Sequence, residues 1–137
     1  VDLDVRRVHC AHRLFRGAAR AASLDQLSRV LTAFALRVPH IGYCQGMAYL
    51  AATIFTQFQD EEECFWMFTL LMERHGIGRW YDGALGELVD LCDVTNACLP
   101  RALRAHLQRL DVLPDTYVVN WYLTLFSGTF SCWEFVL

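Results

Sequence analysis

A chain of 137 residues is long enough for one domain around one hydrophobic core. At 55% hydrophobic and 20% charged residues it is too apolar and too sparsely charged for a disordered segment. A net charge of −3 removes any bulk electrostatic case for nucleic acid. All 12 basic residues are arginine, and Arg6, Arg7, Arg13, Arg16 and Arg20 crowd the first stretch of the chain. If that stretch is helical, Arg13, Arg16 and Arg20 share a face. Such a face is either simply solvated or an anchor for an acidic patch or anionic lipid heads. The cysteines Cys10, Cys44, Cys64, Cys92, Cys98 and Cys132 form no Cys-x-x-Cys pair and sit in apolar runs. They read as small hydrophobes in a reducing compartment, with no disulfide framework.

Nearly every segment reads as helix. Ser23 and Gln26 form a capping box, followed by the stripe Leu24, Leu27, Leu31, Phe34, Val38 at steps of three and four, which Pro39 stops. A second helix is expected from Gly42 to Phe58. Tyr43, Met47, Leu50, Ile54 and Phe58 lie on one face, and Gln45 falls in the first turn. Asp60 caps a third helix, with Glu61, Glu62 and Glu63 in its first turn and Gly76 at its left-handed stop. A loop from Gly76 to Gly83 carries Trp80 and Tyr81. Further helices are expected over Ala84 to Cys98, Pro100 to Leu110 and Thr116 to Phe126, with Pro100 at a first helical position and Asp115 as a cap.

No stretch shows a sustained period of two, so the fold class is all-α. Two charge-free runs, Val38 to Gln59 and Thr116 to Trp133, are long enough to raise the question of a spanning helix. Their polar residues, among them Gln45, Gln57 and Asn120, favour helices buried in a soluble core. No signal peptide is visible. The start at Val1 and the apolar end at Leu137 point to a piece of something longer.

Three constellations bear on chemistry. His9, Cys10 and His12 lie close together, but a metal site usually needs three or four ligands and no second cluster supplies them. A cysteine–histidine nucleophile pair has no supporting motif around any cysteine. Gly76, Gly78, Gly83 and Gly86 are scattered and lack a Walker lysine, so the chain has no phosphate loop of its own.

Beyond these three stands a set of ordered motifs. Val1-Asp2-Leu3-Asp4-Val5-Arg6-Arg7-Val8 resembles the TBC-family pattern Ile-Pro-x-Asp-Val-x-Arg-Thr. Ile41-Gly42-Tyr43-Cys44-Gln45-Gly46-Met47 resembles its Val-Gly-Tyr-x-Gln-Gly-Met pattern almost letter for letter. Phe15, Glu63-Cys64-Phe65-Trp66, Leu99-Pro100 with His106-Leu107, and Trp121-Tyr122-Leu123-Thr124-Leu125-Phe126 agree in the same order. The resemblance runs from Val1 to about Phe126. It implies an irregular multi-helix Rab GTPase-activating domain, of which residues 1–137 are one truncated part.

The resemblance implies a two-finger mechanism. Arg7 takes the arginine-finger position and Gln45 the glutamine-finger position, where it replaces the partner's own glutamine. Asp4 is placed to orient the Arg7 guanidinium, and Tyr43 to pack against the finger loop or touch the partner. The implied partner is a small Rab-type GTPase in its GTP-bound state. GTP and magnesium belong to that partner, so the chain needs no cofactor or metal and is not an enzyme alone. The implied setting is cytoplasmic, peripheral to endomembranes, and touching membrane only through the GTPase.

Departures from the pattern keep a second reading open. Asp2 replaces the family's proline, Val8 its threonine, and Arg6 sits beside Arg7. The alternative is a catalytically inactive module that binds a GTPase or another partner as a scaffold. A helical metal enzyme has only His9, Cys10 and His12 in its favour. Without the resemblance, Arg7 reads as one surface arginine among several and Gln45 as a satisfied polar residue at a helix start.

Overall fold

A computed structural model of the chain describes residues 1–8, 12–81 and 86–130. Its helices are α1 (Asp2–Val5), α2 (Ala19–Arg37), α3 (Met47–Phe58), α4 (Glu61–Glu73), α5 (Gly86–Cys98), α6 (Arg101–Arg109) and α7 (Asp115–Leu123). Short 3-10 turns cover Arg13–Phe15 and Ile77–Tyr81. No strand occurs among the described residues, as an all-α chain requires. No described helix is long and apolar enough to cross a membrane.

The core lies where α2, α3 and α4 pack on one another. Leu27, Leu31 and Phe34 come from the expected stripe of α2, and Val30 joins them. From α4 come Cys64, Phe68 and Met72. Phe34 and Phe68 meet edge to face, with ring centroids 4.9 Å apart. Helix α3 is buried on several sides through Met47, Ala48, Leu50, Ala51, Ala52 and Phe55, and its alanines let the flanking helices approach closely. Each large side chain so buried contributes about 1.5–3 kcal/mol relative to exposure. Phe58, expected on the buried face, is exposed at the helix end. A second pairing joins α5 to α7. Helix α6 buries no residue.

Helix boundaries depart from expectation where local chemistry wins. Helix α2 begins at Ala19, so Ser23 is an interior, buried residue and no capping box forms there. The alanine-rich segment Ala19–Ala22 is a strong helix former and extends the helix backward. Arg13 sits in a 3-10 turn, Arg16 is extended and Arg20 lies in α2, so the three arginines share no helix face. Helix α3 starts at Met47 rather than near Gly42.

The α4 cap is as read: Asp60 Oδ1 accepts from the Glu63 amide at 2.9 Å, and Gly76 adopts φ +72°. The segment after Gly76 coils into the 3-10 turn at Ile77–Tyr81 instead of an open loop. Pro100 stands at the N-cap of α6 instead of its first helical position, and Asp115 is the first residue of α7, capped by Pro114, instead of the cap itself. Helix α7 stops at Leu123. Leu125 and Phe126 turn left-handed, and the Phe126 amide reaches back to the Trp121 carbonyl at 2.8 Å, closing the helix as a Schellman-type end. Residues 84 and 85, expected at the head of the fifth helix, lie outside the described residues.

Candidate finger site

The first motif folds as one helical turn and a reverse turn. Val5 and Val8 are buried in the core, 2% and 0% exposed, and bracket the exposed pair Arg6 and Arg7. Anchoring both valines pushes the two arginines outward. Val8 therefore fills, by packing, the loop-fixing place that a threonine hydroxyl would take. Helix α1 begins at Asp2, where the family pattern has proline, a residue equally compatible with a helix start.

The second motif is a loop between two glycines in left-handed conformations. Gly42 has φ +64° and Gly46 φ +101°. These values break the helix expected from Gly42 onward and leave Gln45 exposed in the loop before α3, not in the helix's first turn. A Cβ on Gly46 would lie 3.4 Å from the Leu123 Cβ, so the loop rests directly on the end of α7.

Further contacts hold this loop. The single S–H of Cys44 is shared between the carbonyls of Ile41, 3.7 Å from Sγ, and Tyr81, at 3.5 Å. The Tyr81 hydroxyl in turn donates to the Leu123 carbonyl. Met47 Sδ accepts from the Cys44 amide at 3.3 Å. Burial pushes the Cys44 thiol and the Tyr81 hydroxyl above their ordinary pKa values, so both stay protonated donors.

One hydrogen bond joins the two motifs. The Tyr43 hydroxyl donates to Asp4 Oδ2 at 2.9 Å. Burial first, then this bond and the carboxylate charge, raise the Tyr43 pKa, so it remains a donor across the physiological range. Asp4 was expected to address the Arg7 guanidinium; its carboxylate is engaged by Tyr43, while its carbonyl accepts the Arg7 amide at 3.0 Å. Of the four site residues, the structure thus joins Asp4 to Tyr43 and places Arg7 and Gln45, both exposed, a few residues beyond each end of that bond.

His9 and Cys10 lie outside the described residues. His12 Nδ1 accepts from the Leu14 amide at 3.3 Å, and burial and then Arg13 lower its pKa. That nitrogen caps a turn. No group of three or more metal-ligating side chains occurs among the described residues.

Sequence reasoning missed the supports. The Cys44–Tyr81–Leu123 chain and Arg20, whose guanidinium bonds backbone carbonyls near the first motif, carry no local signature. Their partners are distant in the chain.

These features coincide with a known family. The model of the Rab-GTPase-TBC domain matches residues 1–137, and the chain belongs to that family. It is 36% identical over 131 residues to a TBC domain-containing protein of Schizosaccharomyces pombe, covering 92% of this chain and 30% of that protein. It is 34% identical over 133 residues to TBC1 domain family member 2A of Rattus norvegicus, covering 94% of this chain and 14% of that protein. A third relative, the GTPase-activating protein GYP7 of Candida glabrata, is 37% identical over 111 residues, covering 80% and 15%. The chain thus spans less than a third of the length of these relatives.

Proposed function

We propose that this chain carries the two catalytic fingers of an activator of a small Rab-type GTPase, with Arg7 and Gln45 supplied in trans to the GTP-bound partner. The observation that carries this reading is the Asp4–Tyr43 hydrogen bond, which ties the Arg7 turn to the Gln45 loop while both side chains stay exposed. Membership in the Rab-GTPase-TBC family supports it.

The chemistry demands these two residue types. Charge spreads over the phosphoryl oxygens as the bond to the γ-phosphate breaks. A planar, permanently charged guanidinium meets two such oxygens at once. An arginine supplied in trans accelerates hydrolysis by roughly 10³–10⁵, about 4–7 kcal/mol of barrier. The Gln45 amide both donates and accepts, so it can hold an attacking water in line. Nucleotide and magnesium come with the partner, and contact with membrane is through the partner alone.

The test is single-turnover GTP hydrolysis by a panel of Rab-type GTPases with the full-length protein. Arg7→Lys should remove most of the acceleration and leave binding measurable, while Arg6→Lys has a much smaller effect. A partner whose own catalytic glutamine is replaced by alanine should still respond, and Gln45→Ala should abolish that response. If the partner's substitution eliminates acceleration and Gln45→Ala changes nothing, Gln45 is only a loop residue. Binding without acceleration in every combination would identify the inactive scaffold that the Asp2 departure leaves open.

A further inference from the structure

Arg20, in the first turn of α2, reaches two backbone carbonyls at once. Its Nη2 donates to the Arg6 carbonyl at 2.8 Å and its Nη1 to the Phe15 carbonyl at 2.9 Å. The Arg6 carbonyl belongs to the peptide group that carries the Arg7 amide. That group is planar, so its oxygen, its N–H and the Arg7 Cα turn as one body. On the opposite edge the Arg7 amide donates to the Asp4 carbonyl at 3.0 Å. The plane leading into Arg7 is therefore held at both edges, and Val8, 0% exposed, anchors the residue that follows. Holding that plane narrows the directions in which the Arg7 side chain can leave the backbone.

We propose that Arg20 is a positioning residue for the arginine finger, acting on GTP hydrolysis through Arg7. The inference rests on the reading of Arg7 as the finger. An arginine suits the task because two divergent N–H groups of one rigid plane address two carbonyls from different segments. A lysine ammonium carries no such fixed fork. Arg20 also lines an open groove of about 530 Å³ between α1 and α2, with Val5, Leu24 and Asp25 among its walls. Water reaches the Arg6 carbonyl from that groove once the guanidinium is gone. Removing Arg20 therefore loosens the peptide plane on its Arg6 side, while the Phe15 carbonyl, on a residue 0% exposed, loses a donor as well, a cost that the thermal midpoint reports separately from kcat.

The experiment is a cycle of variants in the full-length protein, read as kcat for GTP hydrolysis by a responsive Rab-type GTPase. The affinity for the GTP-loaded partner and the thermal midpoint are measured in parallel. Arg20→Ala should lower kcat about tenfold with little change in affinity. In an Arg7→Lys background, where the fork that must be aimed is already lost, the same substitution should cost less than twofold. Arg20→Lys should fall between Arg20 and Arg20→Ala, and it carries the test if the alanine variant folds poorly. Equal losses in both backgrounds would make Arg20 a general structural support and overturn the proposal. No loss with Arg20→Ala, while Arg7→Lys abolishes acceleration, would overturn it and leave the finger reading intact. Undiminished acceleration by the Arg7→Lys variant would remove the finger reading and this inference together.

Discussion

The bond between Tyr43 and Asp4 can be isolated by deleting one oxygen. Tyr43→Phe keeps the ring that packs on the core and removes the hydroxyl that donates to Asp4 at 2.9 Å. Hydrogen bonds to charged groups are worth about 1.5–3 kcal/mol, but both partners here are half-buried and water can replace the lost donor, so about 1–2 kcal/mol is expected. The clean measurement is a double-mutant cycle by urea denaturation, with Tyr43→Phe, Asp4→Ala and the pair. The coupling energy should equal most of the Tyr43→Phe loss. In hydrolysis assays of the full-length protein, Tyr43→Phe should lower acceleration by no more than a factor of roughly 5–30, the equivalent of the same 1–2 kcal/mol. Additivity of the two single variants to within about 0.3 kcal/mol would refute the bond as the link between the motifs.

Gly46→Ala forces a side chain into φ +101° and against Leu123, and should destabilise by about 1–3 kcal/mol in thermal unfolding; an unchanged midpoint would mean the loop is not seated on α7. Phe34→Ala removes a ring that is 0% exposed and in edge contact with Phe68, and should cost about 3–5 kcal/mol by denaturation. A cost under about 1 kcal/mol would contradict the assigned core. Asp60→Ala, which removes the bond to the Glu63 amide, should cost about 1 kcal/mol, and Asp60→Asn much less. Native-state alkylation at pH 8 should modify exposed Cys98 well before Cys64, whose thiol is pushed up to about 12 by burial first and then by Glu61 and Asp60. Labelling of Cys64 at the Cys98 rate would show that α3 and α4 part readily.

Periodicity made the core legible where packing and local spacing agree. Leu27, Leu31 and Phe34 of α2 and the Asp60 cap of α4 follow directly from patterns within one turn or two. The helix starts were less legible. Ser23 next to a polar Gln26 looks like a cap, yet the alanines before it prefer to be helical, and neither residue type announces which preference prevails. The Gln45 loop reads as helix because Tyr43 and Met47 continue the spacing of the α3 face; the break lies in the positive φ angles of Gly42 and Gly46, and only Gly46 has a distant neighbour, Leu123, against it. Arg7, Gln45, Asp4 and Tyr43 were found through ordered motifs. The Asp4–Tyr43 bond itself spans 39 positions of sequence, and nothing in a linear reading couples them at that range.

The seat of the Gln45 loop has a consequence for the order of events in folding. Cys44 leans on Tyr81 and Tyr81 on Leu123, contacts that span 37 and 42 positions and end on α7. Helices α2, α3 and α4 meet through much nearer neighbours and bury the large aromatic rings among themselves. A chain emerging from the ribosome can therefore complete that trio while the glutamine loop still has nothing to rest against. In the finished protein the same hierarchy becomes a ladder of openings. Amides of residues 41–46 should exchange with solvent at the free energy that undocks α7, well below that of the α2–α4 trio. The hydrophobic heart and the seating of the Gln45 loop are then acquired separately, and the second is the first to be given up.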